Sequence, residues 1–154
     1  MTVSWKKLSS QVVSGGNVLH VEDEDASAFL FRAALSDAGI AANVYRVSNG
    51  EEALAFLHKL GSYQQAERPS LIVLDLNLPR IDGLSVLAKL RVDEALNSIP
   101  VVVLSTSGSG KDREKSLALG ARRYIVKPSN FEDLVEAVKR ECGPFLDANS
   151  PNQA

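Results

Sequence analysis

The sequence has little cysteine and no long apolar stretch. Cys142 is the one cysteine among 154 residues, so no disulfide can form within the chain, as is usual in reducing compartments. No apolar run approaches the roughly 20 residues that cross a bilayer. Residues 1–16 lack the continuous apolar core of a secretory signal, although Lys6 and Lys7 supply positive charge. These absences predict a soluble, cytoplasmic protein without a membrane partner.

A strong excess of either charge is also missing. The formal net charge is −2, from 17 basic and 19 acidic residues, which indicates neither a nucleic-acid-binding surface nor an acidic tail. Hydrophobic residues make up 45% of the chain and charged residues 23%, as in an average globular protein. This length fits one domain with a substantial core. We therefore expect a single domain with no nucleic-acid partner.

Short β-branched segments alternate five times with helical patterns. Two of them, LIVL at 71–74 and VVVL at 101–104, are apolar throughout, which is typical of parallel strands covered on both faces. Five successive βα units predict an α/β fold: a doubly wound, five-stranded parallel sheet with helices on both faces. The predicted strands are 17–21, 43–47, 71–74, 101–104 and 124–126, and the predicted helices are 26–38, 48–60, 84–91, 111–119 and 129–142.

Local signals place several helix ends. Ser48 with Glu51, and Ser129 with Glu132, form the S-x-x-E pattern of a capping box. Gly61 is placed to end the second helix, since glycine accepts the left-handed conformation at no cost.

The two flanks differ from the domain between them. We expect a flexible extension at 1–16, a folded domain at 17–142 and a C-terminal tail at 143–154. The tail contains Phe145 and Leu146, which either pack back on the domain or contact a second copy of the chain. The sequence after Cys142 is too short for a DNA-binding module, so we expect output through a partner or self-association.

Polar side chains follow four of the predicted strands. Because parallel strands end at the same edge of a sheet, and ligands bind there in such folds, we expect these side chains to form one site. They are Glu22 and Asp23 after the first strand, Asp75 and Asn77 after the third, Ser105 and Thr106 after the fourth, and Lys127 after the fifth.

These residue types indicate phosphoryl chemistry. Carboxylates held close together repel one another unless a cation lies among them, and oxygen ligands with few protein contacts suit Mg²⁺. A carboxylate beside that ion can attack a phosphoryl group, while Lys127 neutralises the charge on its oxygens. The plainer interpretations are a solvated acidic run at 22–25 that precedes a helix and a surface lysine at 127.

Four motifs resemble the response-regulator receiver domain of two-component systems. They are VEDED (21–25), LDLNLPRIDG (74–83), PVVVLST (100–106) and YIVKP (124–128), and the resemblance covers about residues 17–142. It implies a flavodoxin-like (βα)5 fold and a phosphorelay switch rather than an enzyme that turns over an external substrate. SNGEEALAFLHK (48–59), the NLP after Asp75 and PVVVLSTS (100–107) are similar to stand-alone regulators that serve phytochrome-type histidine kinases.

The resemblance implies a role for each acidic residue of the site. Asp75 corresponds to the phosphoacceptor, and it also contacts the metal. Asp23 corresponds to a direct Mg²⁺ ligand and Glu22 to one that acts through water. Asn77 would offer its backbone carbonyl to the ion.

The resemblance also implies the switch residues. Ser105 corresponds to the hydroxyl that follows the phosphoryl group, with Thr106 as the alternative if the register differs by one. Lys127 would pair with Asp75, and the bond before Pro128 would be cis. Tyr124 corresponds to the aromatic residue that turns inward, although a simple packing role fits it equally well.

The implied partners are a histidine kinase of the phytochrome type and a second copy of the chain. The copy would dimerise through the fourth helix, the fifth strand, the fifth helix and the C-terminal tail. One departure from the family pattern is His20, which stands where an aliphatic residue is usual. We interpret it as a satisfied core residue rather than a second phosphoacceptor.

Two other functions remain open at this point. One is a phosphorylation-independent docking module, although such a protein would lack an acceptor or the metal-binding acids. The other is a phosphatase of the haloacid-dehalogenase type, which also forms an aspartyl phosphate. Such enzymes place a second aspartate two positions after the nucleophile, where this chain has Asn77.

Overall fold

The structure is a computed structural model and describes residues 16–146. Residues 1–15 of the predicted flexible extension and residues 147–154 of the predicted tail lie outside the described residues. Eleven helices and strands follow one another in this range: β1 (Asn17–Val21), α1 (Asp25–Asp37), β2 (Asn43–Val47), α2 (Gly50–Leu57), β3 (Leu71–Leu74), α3 (Gly83–Arg91), β4 (Val101–Ser105), α4 (Gly110–Ala118), β5 (Arg123–Val126), α5 (Phe131–Glu141) and α6 (Gly143–Leu146).

The five strands form one parallel sheet in the order β2-β1-β3-β4-β5. The chain moves outward from β1 to β2, returns to β3 beside β1, and then continues in the opposite direction. The carboxyl ends of β1 and β3 therefore flank the point where the winding reverses, which is where such sheets bind ligands. The predicted doubly wound fold is confirmed.

Helices cover both faces of the sheet. On one face, α2 and α3 contribute Phe56, Val86 and Leu87 to a buried layer that contacts alternate residues of the strands. On the other face, α1 and α5 contribute Phe31 and Val138. β3 and β4 are buried throughout, which explains their uninterrupted apolar sequences. No helix within residues 16–146 is long and apolar enough to span a membrane.

The start of α2 differs from the sequence prediction by one residue. Asn49, not Ser48, caps the helix, and its side-chain oxygen accepts a hydrogen bond from the Glu52 N–H at 2.9 Å. The Glu52 carboxylate in turn accepts a hydrogen bond from the Ser48 N–H at 3.1 Å. Ser and Asn are both good caps, so the local sequence does not choose between them. The extended backbone of Asn49 does.

The end of α2 and the start of α5 also differ from the prediction. α2 ends at Leu57 rather than near residue 60, because Lys59 already adopts a left-handed conformation with φ of 58°. Gly61 opens a separate 3₁₀ turn. At α5 the cap is Asn130 rather than Ser129, and its side chain accepts a hydrogen bond from the Asp133 N–H at 2.8 Å.

The beginning of the tail folds back on the domain. α6 buries Leu146 in the same layer as Cys142, and Phe145 is half-buried with the Arg123 guanidinium 5.9 Å from its ring centre. Of the two alternatives for the tail, packing on its own domain is the one observed for residues 143–146. Burial raises the pKa of the Cys142 thiol to about 12, as expected for an unreactive packing residue.

His20 is the fourth of the five residues of β1 and is almost completely buried. Its ring lies 4.4 Å from the Phe31 ring, and its Nδ1 atom has no hydrogen-bond partner. The predicted core location is confirmed, but the predicted satisfied hydrogen bonding is wrong. Burial, together with the positive charges of Lys127, Arg46 and Arg32, lowers the pKa of His20 to about 3, so the ring is neutral in the folded protein.

We expect His20→Leu to stabilise the protein by about 1 kcal/mol at pH 7.5, because an unpaired buried nitrogen is removed at similar volume. The pH dependence is more specific. The unfolded chain binds a proton at His20 near pH 6.5 and the folded chain only near pH 3. Wild-type stability therefore falls as the pH drops from 6.5 towards 3, by about 1.4 kcal/mol per unit from this residue. Denaturant unfolding at pH 7.5 and 5.0 measures the difference.

The variant should lose about 2 kcal/mol less than the wild type between these two pH values. His58→Gln, which changes the exposed second histidine, should keep the wild-type contribution of His20. Equal losses in the wild type and His20→Leu would contradict this assignment.

Gly83, the first residue of α3, lies directly against the end of β3. A Cβ atom there would be 2.5 Å from the Asp75 carbonyl oxygen and 2.6 Å from the Leu76 Cα. Both are backbone atoms and cannot move aside cheaply. Gly110 is likewise the first residue of its helix, α4, but a Cβ there would meet nothing within 4 Å. The close approach at Gly83 fixes α3 against the strand that carries Asp75.

We expect Gly83→Ala to lower the free energy of unfolding by about 1–3 kcal/mol, because the added methyl group overlaps backbone. The matched control Gly110→Ala should be neutral or stabilising by up to about 1 kcal/mol. Denaturant unfolding of both variants tests this. A Gly83→Ala variant as stable as Gly110→Ala would show that the close approach is not rigid.

Candidate functional site

Three predicted acidic residues meet at the carboxyl ends of β1 and β3. Glu22, Asp23 and Asp75 each offer a carboxylate oxygen, and these oxygens lie within 4.8 Å of one another. Glu22 is only 1% exposed and Asp75 is buried, whereas Asp23 is exposed to solvent. The arrangement is therefore a shallow acidic site with one open side, not a solvated acidic run.

Lys127 extends from the end of β5 into this group. Its Nζ lies 2.8 Å from Glu22 Oε1 and 3.5 Å from Asp75 Oδ2, and its side chain is only 16% exposed. The alternative of a surface lysine is therefore excluded. Its backbone N–H donates to the Ser105 carbonyl at 2.7 Å, so β4 holds it in place. The peptide bond before Pro128 is trans, so the prediction of a cis bond is wrong. Lys127 makes its contacts with Glu22 and Asp75 with this bond in the trans form.

The charges of the site perturb one another. Burial raises the pKa of Glu22, and the charge of Asp75 adds to this, while Lys127 opposes it only in part. Burial would lower the pKa of Lys127, but the hydrogen bond that it donates to Glu22 and the charges of both carboxylates outweigh it, so the pKa lies above its ordinary value. Lys127 is therefore a permanent cation, and the excess negative charge remains with the carboxylates.

Backbone groups orient the two buried carboxylates. The Asn77 N–H donates to Asp75 Oδ1 at 3.1 Å, and the Glu24 N–H donates to Glu22 Oε2 at 3.2 Å. Asn77 itself is exposed, and its N–H contact connects it to Asp75. Of the residues that the sequence assigned to a metal, the three carboxylates are thus brought together; that the Asn77 carbonyl faces the ion stays a prediction.

Of the two hydroxyls that end β4, Ser105 is the buried one. It is fully enclosed, whereas Thr106 is exposed. Ser105 Oγ accepts a hydrogen bond from the Ser107 N–H at 3.2 Å, which leaves its own proton free to be donated elsewhere. Its burial at the edge that holds Asp75 favours Ser105 over Thr106.

Tyr124 faces inward in this structure. The ring is buried in the layer that α2 and α3 cover, and its hydroxyl donates to the Ser107 carbonyl at 2.8 Å. Tyr124 is therefore connected to the loop between β4 and α4. That it moves remains a prediction.

The sequence did not single out Arg46, which fixes the acidic loop. From the end of β2, its Nε donates to the Glu22 carbonyl at 2.8 Å, and its Nη1 pairs with Asp25 at 2.6 Å. A lone charged residue inside the predicted strand NVYRV was the available signal. The hydrogen bond from the Ser107 hydroxyl to Asp112, at 2.6 Å, was also not predicted, because serine and aspartate are common in any polar loop.

Comparison with known proteins agrees with this geometry. A family described as the response regulator receiver domain matches residues 18–139. Response regulator Rcp1 of Synechocystis sp. is 39% identical over 122 residues, which cover 79% of this chain and 83% of Rcp1.

Solved structures give the same result. The crystal structure of the phosphorylated cyanobacterial phytochrome response regulator RcpA superimposes with a TM-score of 0.78 at 41% identity, covering 85% of this chain and 93% of that one. The Mn²⁺-bound form of response regulator Rcp1 superimposes with a TM-score of 0.75 at 37% identity, covering 82% of this chain and 94% of the other. The expected similarity to phytochrome response regulators is confirmed, and the chain belongs to the response regulator receiver domain family.

Proposed function

We propose that Asp75 accepts a phosphoryl group from the phosphohistidine of a partner kinase and that this reaction switches the surface of the domain. The observation that carries the proposal is the position of Asp75 at the reversal point of the sheet, between a lysine and two further carboxylates. An isolated aspartate at a strand end would need none of these neighbours.

Each residue has a defined task in the proposed reaction. A carboxylate oxygen of Asp75 forms the new bond to phosphorus, while the bond from phosphorus to the histidine nitrogen breaks. Lys127, already 3.5 Å from Asp75, neutralises charge on the phosphoryl oxygens. The Ser105 hydroxyl donates to one of those oxygens. In this scheme the domain itself is phosphorylated and later dephosphorylated. It therefore acts as a switch rather than as an enzyme with an external substrate.

The acidic side chains fit a divalent ion. We assign Mg²⁺ to Asp23, Asp75, the Asn77 carbonyl and, through water, Glu22, because all donors are oxygen and the site is open to solvent. When bound, the ion would offset the negative charge of the carboxylates and of the incoming phosphoryl group. The Mn²⁺-bound form of the similar regulator Rcp1 supports a divalent metal here.

The similarity to RcpA, named a phytochrome response regulator, supports a phytochrome-type histidine kinase as the phosphoryl donor. We further propose that the response includes dimerisation through α4, β5 and α5. These three elements carry Leu117, Val126 and Phe131, all large apolar side chains exposed to solvent. The tail was also expected at this interface; Leu146 is buried within its own domain, and residues 147–154 lie outside the described residues.

The phosphoacceptor assignment predicts the outcome of a mass measurement. Wild-type protein incubated with acetyl phosphate and Mg²⁺ should gain the mass of one phosphoryl group, and Asp75→Asn should gain none, because the nucleophilic carboxylate is removed. Adding a chelator beforehand should abolish the adduct. Asp82→Asn is the matched control, since Asp82 lies in the same loop but caps α3, a task that asparagine also performs. An adduct on Asp75→Asn, or none on the wild type, would refute the proposal.

The dimer surface predicts a second result. Phosphorylated wild-type protein should elute earlier from a size-exclusion column than unphosphorylated protein. Val126→Glu should still gain the phosphoryl group but elute as a monomer, since a charge then lies in the apolar contact. Val126 is 47% exposed and Val92, at the end of α3, is 80% exposed. Val92→Glu is therefore the control and should dimerise normally, and a Val126→Glu variant that also dimerises would exclude this surface.

A further inference from the structure

Ser107 connects four parts of the domain. Its N–H donates to Ser105 Oγ at 3.2 Å, and its carbonyl accepts from the Tyr124 hydroxyl at 2.8 Å. Its own hydroxyl donates to Asp112 Oδ2 at 2.6 Å and accepts from the Ser109 N–H at 3.3 Å. The hydroxyl of the switch serine and the inward aromatic ring are thus joined through one loop residue.

Asp112 is the group that fixes this loop residue. It lies in the first turn of α4, where a carboxylate is stabilised by the helix dipole. Its carbonyl accepts from the buried Ser116 hydroxyl at 2.8 Å, and its N–H donates to Ser109 Oγ at 3.3 Å, so the aspartate is held on both sides. A short hydrogen bond from a hydroxyl to a carboxylate is among the stronger neutral-to-charged contacts in proteins.

The loop has few other constraints. Gly108 and Gly110 flank Ser109, and a Cβ at either glycine would meet nothing within 4 Å. Ser116 is the one buried residue of α4, so the helix itself is held by little apolar contact. Without the contact from Asp112 to Ser107, the position of the Ser107 carbonyl beneath the Tyr124 hydroxyl would rest on the longer contacts of Ser107 with Ser105, at 3.2 Å, and Ser109, at 3.3 Å.

We propose that Asp112 is a positioning residue that sets the resting state of the switch: by holding Ser107, it keeps Tyr124 inward and Ser105 in place before any phosphoryl group arrives. This role rests on the proposed function of Asp75. It means that part of the rearrangement expected on phosphorylation is already made in the unmodified protein. The receiver is therefore biased towards its responsive arrangement, and a single carboxylate on α4 supplies that bias.

Removing the carboxylate should shift this equilibrium. With Asp112→Ala, the Ser107 hydroxyl loses its acceptor, and the equilibrium constant between the inward and outward positions of Tyr124 should fall by about fivefold, as expected for one hydrogen bond of this kind. Asp112→Asn keeps an oxygen that can accept from Ser107 and should recover most of the wild-type behaviour. Glu114→Ala removes the same charge from an exposed position of α4 and serves as the control for charge alone.

Two readouts measure the effect in the full chain. The first is fluorine NMR of protein that contains 3-fluorotyrosine. The chain has three tyrosines, so we expect three signals, and the one missing from Tyr124→Phe belongs to Tyr124. The second is the rate at which acetyl phosphate with Mg²⁺ adds a phosphoryl group, followed by intact mass. Asp112→Ala should move the Tyr124 signal towards that of an exposed tyrosine and slow the reaction by up to about fivefold. Glu114→Ala should change neither readout.

A double variant guards against a general loss of structure. Ser107→Ala keeps the backbone groups that contact Ser105 and Tyr124 but removes the hydroxyl, so it should reproduce the Asp112→Ala result. Because the two residues act through one bond, Ser107→Ala combined with Asp112→Ala should be no worse than either alone. Additive effects, or an Asp112→Ala variant that matches Glu114→Ala in both readouts, would overturn the proposal. A wild type that never gains a phosphoryl group would instead refute the role of Asp75, and the fluorine signal would still decide the role of Asp112.

Discussion

The ammonium group of Lys127 enters the acidic site, and its pairing with two buried carboxylates is the interaction on which the chemistry of the site depends. Its 2.8 Å contact with Glu22 is the reason that a carboxylate with 1% exposure can exist there. Taking two ions out of water costs several kcal/mol each, and removing one partner of a buried pair typically destabilises a protein by about 3–5 kcal/mol. One cation facing three carboxylates leaves negative charge unbalanced. That imbalance makes the site suitable for a divalent ion and for a phosphoryl group.

The sheet supplies the precision that this pairing requires. Glu22 follows β1, Asp75 follows β3, Ser105 ends β4 and Lys127 follows β5, so four adjacent strands set the distances among the polar groups. The fifth strand, β2, contributes through Arg46, whose side chain donates a hydrogen bond to the Glu22 carbonyl. Because both core layers pack on these strands, the site is held at the ends of buried strands.

The loop after β4 has the opposite character. It joins the rigid site to α4, a helix with one buried residue, and its shape depends on side-chain hydrogen bonds rather than on apolar packing. Such bonds are worth about 1 kcal/mol each, comparable to the energies that a ligand must overcome to shift a conformational equilibrium. A rigid acceptor site beside a weakly held helix is a suitable arrangement for a switch, since charge added at the first can be transmitted to the surface of the second.

The sequence by itself determined the fold class, the order of the elements and the residues that meet at the sheet edge. These follow from patterns that each short segment carries alone: apolar strands such as LIVL, and polar residues such as Asp75 and Lys127 directly after them. It did not determine which of two neighbouring good caps begins a helix, as Ser48 and Asn49 show, because their local energies are nearly equal. Nor could it show that Leu146 packs back on the domain, that Arg46 holds the acidic loop or that Asp112 meets Ser107. Only the tertiary structure decided these, because each is a contact whose energy depends on where other elements place its partner.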